Sequence, residues 1–162
     1  LALRLHLSPL AGPATLMTRA LAELTGHLYA APSVLLGRPV PAHPADLGQL
    51  PLVTLVGGLL RTEWRLEHAE HGTYVLPIHA VVRATDLPLA RQLALHGQGV
   101  AMLPDFMVAD DVAQGALVPV LREWRSPRVR VSALWRADRM LVPALRALLD
   151  LLPAFGAQVA RW

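Results

Sequence analysis

Apolar and polar positions alternate at the amino terminus, where residues 1–7 place two polar side chains inside an apolar stretch. A two-residue period is typical of a half-buried β-strand. Residues 18–24 fit either a short helix or a strand, whereas residues 27–31 predict a buried strand that ends at Pro32. Ser33 is expected to begin a short helix. The amino-terminal part is therefore predicted to be mostly strand.

A proline-rich segment follows, because residues 37–44 contain three prolines and a glycine. Proline fixes its own φ angle and lacks a backbone donor, so this composition predicts an extended linker. Asp46 is expected to cap a single helical turn that runs to Leu50. We expect the segment to connect two lobes or layers.

Strands and helices alternate in the remainder of the chain. The helix signals are clearest after Asp86, where a capping residue precedes Pro88 in the first turn and Gly97 ends the apolar face. Asp105 is expected to cap a second helix, which ends at Gly115. Strands are predicted at 52–56, 64–68, 73–78, 80–84, 100–103, 117–121 and 129–135, and a last helix at 141–152. This interleaving predicts an α/β protein.

Composition excludes several classes of function. The chain of 162 residues has no cysteine, which rules out disulfides and thiolate chemistry, and no apolar run is long enough to cross a membrane. The formal net charge is only +3. The basic residues are scattered along the sequence and form no patch, so these residues give no indication of nucleic-acid binding.

Histidines and carboxylates are densest around a predicted hairpin turn. His68 and His71 lie beside Glu67 and Glu70, and Gly72 follows them. No spacing typical of zinc ligands is present, and polar side chains are expected at a turn. A solvated turn is therefore favoured over a metal site.

The sequence suggests no catalytic residue and no cofactor. No serine lies in a G-x-S-x-G turn, and residues 97–99 connect a helix to a strand, the reverse of the order in phosphate-binding loops. Asp110 and Asp111 are adjacent on a helix, so their side chains diverge by about 100°. We expect both side chains to lie on a solvated face. Because no catalytic arrangement is found, we expect the chain to have no enzymatic activity.

Several segments are informative when their order and spacing are taken together. In chain order they are Leu1-Ala-Leu-Arg4, Leu28-Tyr-Ala-Ala-Pro32, Leu36-Gly-Arg-Pro39, His43-Pro-Ala-Asp-Leu47, Ala84-Thr-Asp86, Gly97-Gln-Gly-Val-Ala-Met-Leu-Pro104 and Asp110-Asp-Val-Ala-Gln-Gly-Ala-Leu117. In this order and spacing they resemble the effector-binding domain of LysR-type transcriptional regulators. A closing helix with Leu149-Asp-Leu-Leu152 agrees with the family. The resemblance covers nearly the whole chain.

The resemblance implies a periplasmic-binding-protein-like fold of type 2, in which two α/β lobes joined by crossing strands enclose a ligand cleft. Lobe one would comprise residues 1–31 and 133–162, and lobe two residues 32–132, with hinges near 30–32 and 132–135. The winged helix-turn-helix, the linker helix and the opening strand and helix of lobe one are missing from these residues. We therefore expect a truncated domain with an incomplete first lobe.

The resemblance also implies where an effector binds. Thr85 and Asp86 meet a helix N-terminus, which offers free amide donors and favours an anion, so a carboxylate effector is expected. The opposite wall and the hinge side would supply the remaining contacts, and the full set is Arg4, Thr85, Asp86, Val100, Ala101 and Met102. The competing interpretation is a helix cap at Asp86, core packing for the apolar residues and a local pair for Arg4.

The implied function is effector sensing in a bacterial, cytoplasmic transcription regulator. The full-length protein would be a homo-oligomer, either a dimer or a tetramer, that contacts DNA only through the missing amino-terminal domain. The alternative is an extracytoplasmic solute-binding protein of the same fold. An enzyme on this fold is the third and weakest hypothesis, because no catalytic constellation is present.

Overall fold

A computed structural model describes residues 2–6, 16–56, 62–136, 146–147 and 150–151. The predicted loop at residues 8–14 and most of the predicted helix at 141–152 lie outside these residues. The chain divides into two compact units. Unit 1 comprises Leu1–Leu24 and Arg128–Trp162, and unit 2 comprises Thr25–Pro127.

The described elements follow the predicted alternation of strands and helices. The strands are β1 (Ala2–His6), β2 (Leu16–Leu24), β3 (Gly26–Ala30), β4 (Leu52–Leu55), β5 (Glu63–His68), β6 (Gly72–Pro77), β7 (Val82–Ala84), β8 (Val100–Pro104), β9 (Val118–Val120) and β10 (Val129–Arg136). The helices are α1 (Pro32–Leu35), α2 (Leu87–Leu95) and α3 (Asp105–Ala113), with a 3₁₀ helix at Pro44–Gln49. The ambiguous segment at 18–24 is a strand.

The described part of unit 1 contains an antiparallel sheet in the order β1-β10-β2. Strand β10 is central and pairs with both neighbours, with a register shift between Val131 and Ser132. Ser132, Ala133 and Leu134 of this strand are buried. Among the side chains of this sheet whose burial the structure describes, those in the middle of β10 are the most buried.

Unit 2 is built on a five-stranded mixed sheet in the order β7-β4-β8-β3-β9. Strand β4 runs parallel to β7 and β8, whereas β3 runs antiparallel to β8 and β9. The carboxyl ends of β4, β7 and β8 therefore meet at one edge of the sheet. The hairpin of β5 and β6 forms a separate two-stranded sheet.

Two apolar clusters cover the two faces of this sheet. Successive side chains of a strand point to opposite faces, and in β8 Val100 and Met102 join the cluster beneath the hairpin, whereas Ala101 and Leu103 join the cluster beneath α2 and α3. Trp64 of the hairpin is fully buried in the first cluster. Unit 2 thus has three layers, with the sheet in the middle.

The units divide the chain at different points from the predicted lobes. The structure places the divisions after Leu24 and after Pro127, whereas lobes were expected to meet at 31/32 and 132/133. Strand β3 belongs to unit 2 because it pairs there with β8 and β9.

The proline-rich segment 37–44 also lies inside unit 2, where it joins α1 to the 3₁₀ helix. The expectation that it crosses between lobes is wrong.

The 3₁₀ helix is capped differently from the expected arrangement. The side chain of His43 accepts a hydrogen bond from the Ala45 amide at 3.2 Å, so His43 is the N-cap. Asp46 lies inside the helix, and its Oδ2 accepts from the amides of His43 at 2.9 Å and Ala42 at 3.0 Å. These backbone bonds, that of His43 foremost, lower the pKa of Asp46.

Helix α3 has one buried acidic side chain. Asp110 is exposed, as expected, but Asp111 is buried and forms an ion pair with Arg91 of α2. The prediction of a solvated face is therefore wrong for Asp111, because neighbouring positions on a helix point in different directions.

Among the described residues, no helix is long and apolar enough to cross a membrane.

Candidate functional site

The edge where parallel strands end is the natural place for a ligand in unit 2. In open α/β sheets, ligands bind outside the carboxyl ends of the strands. Here the chain reaches that edge at Val56 after β4, at Thr85 and Asp86 after β7, and at Asp105 after β8. His27 lies at the same edge, because it is opposite Leu103 in the antiparallel pair of β3 and β8. We call these residues the carboxyl edge.

Asp86 caps helix α2 with its own carboxylate. Its Oδ1 accepts from the Leu89 amide at 2.8 Å, and Thr85 donates through Oγ1 to Oδ2 at 3.3 Å. Both side chains are exposed. The N-terminus of α2 therefore already has an anionic partner, and a ligand carboxylate at this point would meet a like charge. The Leu89 amide is thus already used within the helix, and the expected carboxylate effector stays a prediction.

The apolar residues expected in the ligand wall lie in the core. Val100 and Ala101 are fully buried and Met102 is 5% exposed. Val100 and Met102 face the hairpin, and Ala101 faces the helices. The structure therefore assigns all three a packing role in unit 2, and their contact with a ligand stays a prediction.

Arg4 lies in unit 1, on β1. It is opposite Ser132 of β10 in the register of the sheet, and its side chain is exposed. The structure thus brings Thr85 and Asp86 together at the carboxyl edge of unit 2 and places Arg4 in the other unit. A role for Arg4 in ligand binding also stays a prediction.

A polar network at the carboxyl edge was missed by the sequence analysis. Asp105 Oδ1 lies 2.8 Å from His27 Nδ1 and accepts a hydrogen bond from the Tyr29 hydroxyl at 2.9 Å. Tyr29 is buried, and this burial, together with the nearby Asp105 carboxylate, raises the pKa of the Tyr29 hydroxyl. The side chains of His27 and Asp105 are partly exposed, at 24% and 31%.

Long-range pairing explains why this network was missed. His27 and Tyr29 lie on one face of β3, since they are two residues apart, but Asp105 is 78 positions from His27 in the sequence. Asp105 was expected to cap α3. Instead Pro104 occupies the N-cap position with no side-chain hydrogen bond, and the Asp105 carboxylate contacts β3. The only sequence signal was a polar pair, His27 and Tyr29, spaced two apart in a buried strand.

The histidine cluster of the hairpin organises a turn. His68 Nδ1 accepts from the amides of Glu70 at 3.0 Å and His71 at 3.2 Å, while Nε2 lies 3.1 Å from Glu123 Oε2. Both ring nitrogens are thus already used in hydrogen bonds. Within the described residues, no group of three or more histidines and carboxylates could hold a metal ion.

Comparison with known proteins places this fold in a family. A family model described as the LysR substrate binding domain matches residues 2–156. The chain belongs to this family. The LysR substrate-binding domain is thus recognisable over almost the entire sequence.

Relatives of this LysR domain include named transcriptional regulators. The chain is 30% identical over 121 residues to the HTH-type transcriptional regulator PtxR of Pseudomonas aeruginosa, covering 75% of this chain and 38% of PtxR. It is 33% identical over 96 residues to the HTH-type transcriptional regulator CrgA of Neisseria meningitidis, covering 59% of this chain and 31% of CrgA. The chain thus spans well under half the length of these relatives.

Solved structures confirm the predicted fold class. The regulatory domain of CrgA from Neisseria meningitidis matches with a TM-score of 0.77 and 25% identity, over 94% of this chain and 74% of that one. Full-length AphB, a virulence activator of Vibrio cholerae, matches with a TM-score of 0.79 and 24% identity, over 95% of this chain and 51% of AphB. The α/β, periplasmic-binding-protein-like architecture is therefore the fold of this LysR domain.

Proposed function

We propose that this chain is the small-molecule-sensing domain of a LysR-type bacterial transcription regulator. The observation that carries the proposal is the match of the LysR substrate-binding family model to residues 2–156. The relatives named above are transcriptional regulators, which supports a sensor over an enzyme and over an extracytoplasmic solute-binding protein. A cytoplasmic location follows from this proposal.

The carboxyl edge of unit 2 is where we place the effector contacts on this unit. It combines the exposed side chains of Thr85 and Asp86 with the ordered network of His27, Tyr29 and Asp105. An effector that binds one conformation better than another shifts the population of the whole protein. In a homo-oligomeric regulator, that shift alters how a separate helix-turn-helix domain contacts DNA.

The first test is to read the coding sequence ahead of Leu1 in the source DNA. An in-frame winged helix-turn-helix supports the proposal, whereas a secretion signal in that position overturns it in favour of the solute-binding alternative. The second test uses the full-length protein. Small molecules that raise the melting temperature of the full-length protein should also change the affinity of that protein for DNA fragments from the source genome. An affinity for DNA that stays the same with every stabilising molecule would contradict the proposed sensing role.

A further inference from the structure

We infer that a cavity beside the proline-rich segment binds a small zwitterion, a molecule that carries a carboxylate and an ammonium group on a short apolar chain. Residues 38–41 and the 3₁₀ helix with its C-cap Leu50 line this cavity, whose volume is about 200 Å³. Leu50 comes two residues before β4, so the cavity lies at the opposite end of that strand from Val56 and the carboxyl edge. The inference therefore concerns a second site, separate from the proposed effector contacts.

Arg38 brings a positive charge to the cavity. Its Nη1 donates to the Gln49 carbonyl at 2.7 Å, which ties the end of the side chain to the 3₁₀ helix. A guanidinium has five N–H donors and is not deprotonated in proteins. No carboxylate of the described residues forms an ion pair with Arg38. The guanidinium is thus held through one donor and has others left for an anionic group.

Asp46 brings a negative charge to the same cavity. Its Oδ2 accepts from the amides of His43 and Ala42, and these bonds lower the pKa of the carboxyl group, so that it is ionised at neutral pH. Oδ1 accepts no hydrogen bond from the described residues. Arg38 and Asp46 form no ion pair with each other, although both line the cavity. Each charge therefore remains available to a ligand group of opposite sign.

The remaining wall of the cavity is apolar and rigid. Pro39, Val40, Pro41 and Leu50 supply it. Because proline locks its own φ angle, residues 39–41 lose little conformational freedom when a ligand binds. Val40 is 80% exposed, so a ligand that covers it removes apolar surface from water. This wall favours a ligand with methylene groups next to its charges.

The size and charge of the cavity select the class of ligand. Pockets for drug-sized ligands measure about 300–1,000 Å³, whereas a cavity of about 200 Å³ fits a molecule no larger than a free amino acid. A simple anion would meet Asp46 as a like charge, and a simple amine would meet Arg38 as one. A zwitterion offers each of them the opposite charge.

A series of linear zwitterions tests this ligand class. Free glycine, β-alanine, γ-aminobutyrate and δ-aminovalerate differ only in the number of methylene groups between their charges. At least one of them should shift the backbone amide resonances of Val40 and Gln49 in the chain, with saturation. The acid and the amine that each keep one charge of the best binder, such as valerate and pentylamine for δ-aminovalerate, should bind at least about tenfold more weakly.

Three variants locate the bound zwitterion. Arg38→Gln should raise the dissociation constant of the best binder at least about tenfold, because a charged hydrogen bond is lost. Arg65→Gln is the matched control, since Arg65 is exposed on β5 and does not line the cavity, and it should leave binding unchanged. Asp86→Asn alters the carboxyl edge and should also leave binding unchanged.

The resonances of the unaltered chain decide the case in which Arg38→Gln fails to fold. The inference is overturned if no member of the series shifts the Val40 and Gln49 resonances to saturation, or if the matched acid or amine binds as tightly as the zwitterion. It is also overturned if Arg65→Gln or Asp86→Asn weakens binding as much as Arg38→Gln does. None of these outcomes touches the regulator assignment, which stands or falls on the coding sequence ahead of Leu1.

Discussion

Arg91 and Asp111 join helices α2 and α3 through two parallel hydrogen bonds. Arg91 Nε lies 2.6 Å from Asp111 Oδ2, and Nη2 lies 2.7 Å from Oδ1. This bidentate arrangement is the strongest that a guanidinium and a carboxylate can form. The bond to Asp111 also raises the pKa of Arg91. The pair fixes the position of α2 and therefore of the Thr85 and Asp86 pair at its start.

Removing the carboxylate of this pair should be costly. Asp111→Ala leaves Arg91 without its partner beside an apolar layer, and we expect the free energy of unfolding to fall by about 2–3 kcal/mol. Asp110→Ala is the matched control, since Asp110 is exposed, and it should change stability by less than about 0.5 kcal/mol. Urea unfolding measures both. Equal effects for the two variants would show that the ion pair contributes nothing.

Gly99 should tolerate no side chain. Its φ is +152°, and a Cβ atom at this position would lie 2.4 Å from the Pro51 carbonyl oxygen. Gly99→Ala should therefore lower the free energy of unfolding by at least about 3 kcal/mol, through strain and steric overlap. At Gly115, φ is +71° and a Cβ would meet nothing within 4 Å.

Gly115→Ala is thus the control for conformational strain alone, with an expected cost of about 1–2 kcal/mol. Thermal unfolding of the two variants compares them directly. A Gly99→Ala protein as stable as Gly115→Ala would mean that β8 can move away from Pro51.

The loss of folding stability in Tyr29→Phe should depend on pH, because the Tyr29 hydroxyl belongs to the network at the carboxyl edge. The folded state raises the pKa of Tyr29, mainly through burial, so the protonated hydroxyl stabilises the fold at neutral pH. At pH 7 the variant should lose about 1.5–3 kcal/mol of stability, the range for a hydrogen bond to a charged group. Above about pH 10, where tyrosine ionises in the unfolded chain, the advantage of the native residue should shrink.

Tyr74→Phe provides the comparison for this experiment, because the Tyr74 hydroxyl makes no hydrogen bond with the described residues. Its stability should differ little from that of the unaltered chain at pH 7. Urea unfolding at several pH values measures the differences. A Tyr29→Phe difference that stays constant into the alkaline range would contradict the raised pKa.

The stability that Asp46 contributes should be lost at low pH, whereas that of Tyr29 is lost at high pH. Its pKa is lowered by the His43 and Ala42 amides, so its ionised form stabilises the folded state above the ordinary carboxyl range. Asp46→Ala should therefore have a lower melting temperature at neutral pH. The deficit should close as the pH falls below about 4, where the native carboxylate also becomes protonated. Thermal unfolding across this range is the measurement, and a deficit that persists at acid pH would contradict it.

Local patterns predicted the elements of this fold well. Alternation of apolar and polar positions predicted β1, and short apolar runs that end at a proline predicted β3 and β8. The Asp86 cap with Pro88 and Gly97 predicted the limits of α2 to within a residue or two. Residues 97–99 form the predicted turn from helix to strand. These features depend on neighbours in sequence, which is why they are readable without a structure.

Predictions that depended on distant partners were less successful. The expected cap at Asp105 instead contacts β3, and the supposedly solvated Asp111 is buried against Arg91, because in each case a residue far away in sequence supplies the partner. The division into units also depends on which strands pair with β3. Strand pairing across the sheet is a property of the fold, and no local period encodes it.

The carboxylate of Asp86 affects which charged molecules can approach the N-terminus of α2. A helix N-terminus left open would attract any anionic metabolite, but here the chain supplies its own counter-charge and holds it in place through the Leu89 amide. Specificity can arise from repelling the wrong partner as much as from binding the right one. At the proposed effector site, this carboxylate would therefore disfavour a ligand that places an acidic group beside the start of α2.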